Sequence, residues 1–177
     1  MDNQSNITSA DDLRQMLHKC RKCWRMTVNG SMIKSYDELY HVHIKKNIQN
    51  CAIIVNTLAI SDVSHSPLAV GHWFNILIYN KQFAFICDGL NKVRQMPEVW
   101  RAIEVFCINN RLKIHYFTAR YQLKNSDLCG YLACYFVSKC HNSTFRALLS
   151  LKKLLNNNAI KTNQRYIVTA LKRHLSL

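Results

Sequence analysis

Residues that break a chain are scarce here, and so are acids. Among 177 residues there are two prolines, Pro67 and Pro97, and four glycines, Gly30, Gly71, Gly89 and Gly130. That scarcity excludes a Pro/Gly-rich linker, a collagen-like repeat and a low-complexity tail. No run approaches the roughly 20 apolar residues needed to span a bilayer. No internal repeat is present. What remains is one domain over 1–177, whose 49% hydrophobic and 19% charged residues suit a packed core rather than a disordered chain. The opening stretch, MDNQSNITSADD, is polar and acidic, unlike a secretory signal. The eight cysteines are therefore expected as thiols in a reducing compartment.

Ten Asp and Glu stand against 24 Lys and Arg, a formal charge of +14. No acid follows Asp127, while Lys139, Arg146, Lys152, Lys153, Lys161, Arg165, Lys172 and Arg173 do. A field of one sign on a small protein favours a polyanionic partner, nucleic acid first. Lys139, Arg146, Lys152, Lys153, Lys172 and Arg173 are the candidate contacts. Contact with phosphates is indifferent to sequence and weakens with salt.

Hydrophobic spacing outlines the elements. Ser9 and Asp12 form a capping box ahead of a helix over 9–20, and Ser35 and Glu38 repeat that signature for a helix over 35–48. Residues 51–59 are an apolar run that fits a buried strand or a helix. Two aromatic and β-branched runs, 71–79 and 82–88, read as a hairpin turning at Asn80-Lys81. Pro97 suits the first turn of a helix, 111–118 alternate as a strand, and the pattern from 129 onward is helical, with further helices behind Thr144 and over about 163–175. The class is α+β, a small central mixed sheet with helices packed around it.

Chemistry gathers at three of the four glycines. Cys129 opens an apolar helical segment and precedes Gly130. A thiol at a helix N-terminus feels the positive end of the dipole, which raises its thiolate fraction. Such a nucleophile needs a base, and the base an orienting group. His72 follows Gly71 where the first hairpin strand begins, and Asp88 precedes Gly89 where the second ends. A three-residue turn over 79–81 sets Asp88 opposite His72, and a two-residue turn sets it one place off. Either register lets a carboxylate hold one ring nitrogen while the other faces a thiol. Gln122, seven residues before Cys129, has an amide suited to a developing oxyanion, with the Cys129 main-chain N–H as a second donor.

The order His, acid, Gln, Cys resembles that of the adenovirus protease family, the adenain-like cysteine proteases related to the SUMO-specific proteases. CAIIVNT ahead of Gly71-His72-Trp73, an acid ending the next strand, and QLKNSDLCGYLACYF carry the likeness, over about 51–137. Asp88 stands where adenain has Glu and the SUMO proteases have Asp. The resemblance implies an adenain-like fold with Cys129 as nucleophile, His72 as general base, Asp88 as its orienter, Gln122 in the oxyanion hole, and Trp73 beside Gly71 and Gly130 shaping the substrate cleft. It implies cleavage of viral precursor proteins after small, Gly-containing motifs during virion maturation, in the virion and host nucleus. It also implies viral DNA and an activating peptide as partners. The family's disulfide to that peptide would require a thiol at Arg111; the nearest is Cys107, which reads equally as a core residue of the 97–108 helix. No metal or small-molecule cofactor is expected, and a monomer is. Alternatives are a protease of the same clan acting on ubiquitin-like conjugates, and a non-catalytic basic DNA-binding virion protein.

Other motifs carry less. Cys20 and Cys23 form one C-x-x-C with no second well-spaced pair, too little for a zinc site. Ser61, Ser64 and His65 lie in a polar stretch before Pro67 and read as loop.

Overall fold

Four strands make one sheet in the order β1-β2-β3-β4: β1 Cys51–Asn56, β2 Trp73–Tyr79, β3 Phe83–Cys87 and β4 Lys113–Tyr116. The first three pair antiparallel and β4 joins β3 in parallel, so the sheet is mixed. The structure, a computed structural model, describes residues 9–19, 35–65, 71–117, 120–124 and 128–140. The expected helices behind Thr144, the Cys20/Cys23 pair and the basic residues Arg146, Lys152, Lys153, Lys172 and Arg173 lie outside them, as does the side chain of Lys139.

Strand and helix were both open for 51–59, and all six residues of β1 are buried strand. The reason is that the sheet is covered on both faces even at this edge, so Ala52 and Ile54 enter one core and Ile53 and Val55 the other, and the run is apolar rather than alternating. On one face Ala52, Ile54, Trp73 and Leu77 pack against α1 (Ala10–Lys19) and α4 (Cys129–Cys140). On the other, Ile53, Val55, Phe74 and Ile76 pack against Ala102, Ile103 and Phe106 of α3 (Pro97–Asn109). A short helix, α2 (Ile60–His65), follows β1 where a loop was expected. His65 Nδ1 there sits 2.6 Å from its own helix's Ser61 carbonyl, and the Ser64 hydroxyl donates to Ile60, so neither side chain serves the other.

The first capping box closes α1 as its spacing predicts. The Asp12 carboxylate accepts the Ser9 N–H at 2.8 Å, and the Ser9 hydroxyl accepts the Asp12 N–H at 3.2 Å. The second box, Ser35 with Glu38, opens only a six-residue 3-10 helix, Tyr36–His41, rather than a helix to 48. Asn110 explains the early stop. Its side chain accepts from Ile44 N–H at 2.8 Å and donates to the Val42 carbonyl at 3.0 Å, taking up backbone groups that a longer helix would need.

The hairpin register differs from both expected ones. Asn80 and Lys81 take positive φ, and the Gln82 N–H closes a turn on the Tyr79 carbonyl at 3.1 Å. Gln82 is then an extra residue ahead of β3, and Tyr79 pairs with Phe83. Asn75 consequently pairs with Cys87, and continuing the ladder sets Asp88 beside Phe74, two places from His72.

Candidate active site

His72, Asp88 and Cys129 meet at the end of the sheet where β2 begins and β3 finishes. The His72 backbone is pinned first: its N–H donates to the Thr57 hydroxyl at 2.9 Å and its carbonyl accepts the Thr57 N–H at 3.0 Å. Gly71 is needed just before it, because a Cβ there would run into Asn56 Oδ1. Asn56 is held in that place by accepting the Leu58 N–H at 3.0 Å.

Asp88 is the most enclosed group of the site, with no exposed surface. Its Oδ1 lies 2.6 Å from His72 Nε2 and accepts the Leu90 N–H at 3.0 Å. Its Oδ2 accepts Lys92 N–H at 2.5 Å and Val93 N–H at 2.8 Å. The turn that supplies these amides passes through Asn91, at positive φ, whose side chain accepts the Tyr116 hydroxyl at 2.7 Å. The side-chain reach to His72 absorbs the two-place register offset. Burial disfavours the Asp88 charge, yet His72 and the amides of Val93 and Lys92 hold its carboxyl below the ordinary value.

Asp88 occupies Nε2, which leaves Nδ1 as the ring nitrogen for the thiol. Cys129 is the first residue of α4, near enough to the His72 side chain and to the main-chain N–H groups of Trp73 and Gly130 for all three to favour its thiolate. Burial pushes this thiol up, but His72 and those two amides outweigh burial and hold it below the ordinary thiol range. Burial pulls His72 down, while Asp88 and Cys129 more than offset that and raise it to about 9. The arrangement therefore favours a thiolate beside an imidazolium, the form in which cysteine attacks.

Gln122 is buried and placed through Gly89 rather than through the dyad. The Gly89 carbonyl accepts N–H groups from both Tyr121 and Gln122, at 3.1 and 2.9 Å. A Cβ on Gly89 would stand 2.8 Å from Gln122 Oε1. Thus the residue after the carboxylate carries the loop that leads into α4. Trp73, expected to shape the cleft, is 5% exposed and sits in the core under α4; its main-chain amide is what reaches the sulfur. Cys107 is 1% exposed in the opposite core, and burial, with Glu104 nearby, pushes its thiol up to about 12. It is a protonated core thiol facing α3's own packing. Thr57, Asn56, Asn91 and Tyr116 were not singled out by sequence; only Asn56 and Thr57, inside the CAIIVNT segment, lay next to a recognised pattern.

Basic residues collect at the opposite end of the sheet. Lys81 N–H donates to the Gln49 carbonyl at 2.7 Å, its Nζ reaches the Lys45 carbonyl at 3.4 Å, and Lys113 N–H donates to the Gln82 carbonyl at 2.7 Å. The loops around 42–50, 80–82 and 109–113 therefore adjoin. They carry Lys45, Lys46, Lys81, Arg111 and Lys113 and contain no Asp or Glu. Among the described residues no group of three or more His, Cys, Asp or Glu is arranged to hold a metal ion, and no helix is long and apolar enough to cross a membrane. Compared with known proteins, the chain matches no protein-family model and no curated protein.

Proposed function

We propose that the chain is a cysteine endopeptidase of adenain-like fold, virus-encoded, that cleaves capsid and core precursor proteins at small, Gly-containing motifs during virion maturation. One observation carries the reading: the imidazole of His72 is held at Nε2 by a fully buried, amide-saturated carboxylate and meets a thiol at a helix N-terminus. A thiol, an imidazole and a carboxylate that shift one another's titration at one place are the pattern of a functional site. The class of substrate and the setting in virion and host nucleus rest on the resemblance around CAIIVNT, Gly71-His72-Trp73 and Gln122 to Phe136.

The mechanism follows from the groups present. The Cys129 thiolate attacks the scissile carbonyl carbon, and the carbonyl's electrons move to its oxygen. Main-chain N–H at Cys129 and the Gln122 amide are suited to that oxyanion. Collapse breaks the C–N bond, and the His72 imidazolium passes its proton to the leaving amine. Water, losing a proton to the now neutral His72, opens the thioester and restores the thiolate–imidazolium pair. Asp88 stays ionised throughout and keeps Nε2 protonated and oriented.

Charge supports nucleic acid as a working partner, since the acid-free loops add a cationic surface to a chain of net charge +14. Cys129→Ala tested on capsid precursors and Gly-containing peptides is the decisive assay. Loss of at least about 1,000-fold in cleavage rate is expected. Undiminished cleavage by that variant rejects the protease assignment, and preferential cleavage of ubiquitin or SUMO conjugates by the wild type moves it to the modifier-removing proteases.

A further inference from the structure

β2 reads WFNILIY, and every residue from Trp73 to Ile78 is buried. One of them is polar. Asn75 is 1% exposed, on the face that carries Trp73 and Leu77 against α4. A Val or Ile would suit the pleat there better, and an amide is tolerated in such a place only with a partner. Asn75 has one: its Nδ2 donates to the Ala133 carbonyl at 3.1 Å.

The position of this bond matters more than its presence. Ala133 lies one helical turn beyond Cys129 on α4, on the same side of the helix. Asn75 lies three residues beyond His72 on β2. The bond therefore ties the helix that carries the sulfur to the strand that follows the imidazole, about one turn beneath the site. The surrounding contacts, Trp73 and Leu77 with Leu132 and Phe136, are apolar. Burial and dispersion are non-directional and tolerate small slides of a helix along a sheet, whereas a hydrogen bond is specific in length and angle.

We propose that Asn75 is a positioning residue, whose bond to Ala133 fixes where α4 lies along β2 and hence where the Cys129 sulfur meets His72. This rests on the catalytic reading of that pair. Displacements near 1 Å at a reacting centre cost on the order of 100-fold, so a single directional bond under the site has leverage out of proportion to its own strength.

The test reads thiol chemistry rather than proteolysis. Alkylation of Cys129 by iodoacetamide is followed across pH on the full chain, with the modified residue located by mass mapping. Asn75→Leu keeps the volume and removes the donor. Leu77→Val thins the same helix–strand packing and leaves the bond. Wild type is expected to alkylate with a midpoint below that of an ordinary thiol. In Asn75→Leu the midpoint moves up toward the ordinary value and the rate at pH 6–7 falls by at least about tenfold. Leu77→Val lowers the melting temperature and keeps the wild-type profile. Superimposable wild-type and Asn75→Leu profiles overturn the proposal while leaving the catalytic reading intact, and an equal shift in Leu77→Val reduces Asn75 to packing. An ordinary midpoint in the wild type removes the catalytic reading itself, and the proposal with it. If Asn75→Leu does not fold, Asn75→Ser, whose hydroxyl is too short to span the gap, carries the same comparison.

Discussion

Asp88 presents both oxygens to donors: His72 and Leu90 on one, Lys92 and Val93 on the other. Such a carboxylate has no freedom to follow the imidazole, so the ring comes to it. The proton balance of the site follows. Cys129 is held below the ordinary thiol range and His72 up at about 9, so the thiolate–imidazolium pair exists between them. Peptide cleavage is therefore expected to rise with pH through the lowered range of Cys129. It should fall again near pH 9, as the proton needed by the leaving amine is lost. The same shifts set stability. The raised His72 value contributes stability fully present below about 6.5, its ordinary value, and lost as pH rises through about 9. The lowered Asp88 value contributes stability present above the ordinary carboxylate value and lost as acid protonates it. Asp88→Asn should bring the alkaline limb of the pH–rate profile down toward an ordinary imidazole. It should also cost about 2–4 kcal/mol in urea unfolding, because amide donors then face an N–H. An unmoved alkaline limb would separate Asp88 from the imidazole's titration.

Elements were legible in the sequence to different depths. The aromatic and β-branched run GHWFNILIY marks a strand, whereas the apolar run from Cys51 left strand and helix open, because a stretch buried on both faces shows no alternation to tell them apart. Caps marked the start of α1 and Pro97 that of α3, since both act through neighbours in the chain. Ends and registers were less legible, because distant residues decide them. Asn110 stops the helix after Ser35, and Gln82 shifts the hairpin. The site followed the same division. His72, Asp88 and Cys129 could be picked out from local residue types, whereas Asn75, Asn91 and Tyr116 act through partners 25 to 58 positions away. Gly89 shows how elements join: its carbonyl holds Tyr121 and Gln122, and its bare Cα makes room for the Gln122 side chain. In Gly89→Ala the added methyl displaces the Gln122 loop. Peptide cleavage should fall by roughly 100- to 1,000-fold, the range of losing one oxyanion donor, while iodoacetamide still labels Cys129 at the wild-type rate. Parallel losses in both measurements would instead place Gly89 under the dyad.

At the scale of the molecule, charge and chemistry are separated along the strands. The loops bearing Lys45, Lys46, Lys81, Arg111 and Lys113 adjoin one end of the sheet, and His72, Asp88 and Cys129 the other. Sequence alone drew attention to the basic C-terminal third, because loops far apart in the chain announce no shared surface until the fold gathers them. Binding to a nonspecific DNA duplex is expected to weaken steeply with salt. Replacing Lys45, Lys46 and Lys113 by Ala should reduce the slope of log affinity against log salt by about 0.9 for each phosphate no longer neutralised, with cleavage of a short peptide unchanged. A slope that stays the same would assign the phosphate binding to other residues. The seven residues of β2 set the gap between the two poles, about 23 Å at 3.3 Å per residue. That span exceeds two Debye lengths at physiological salt. A polymer lying across the cationic pole would thus leave the sulfur's titration almost untouched, and the molecule could remain moored at one end while its working mouth stays open at the other.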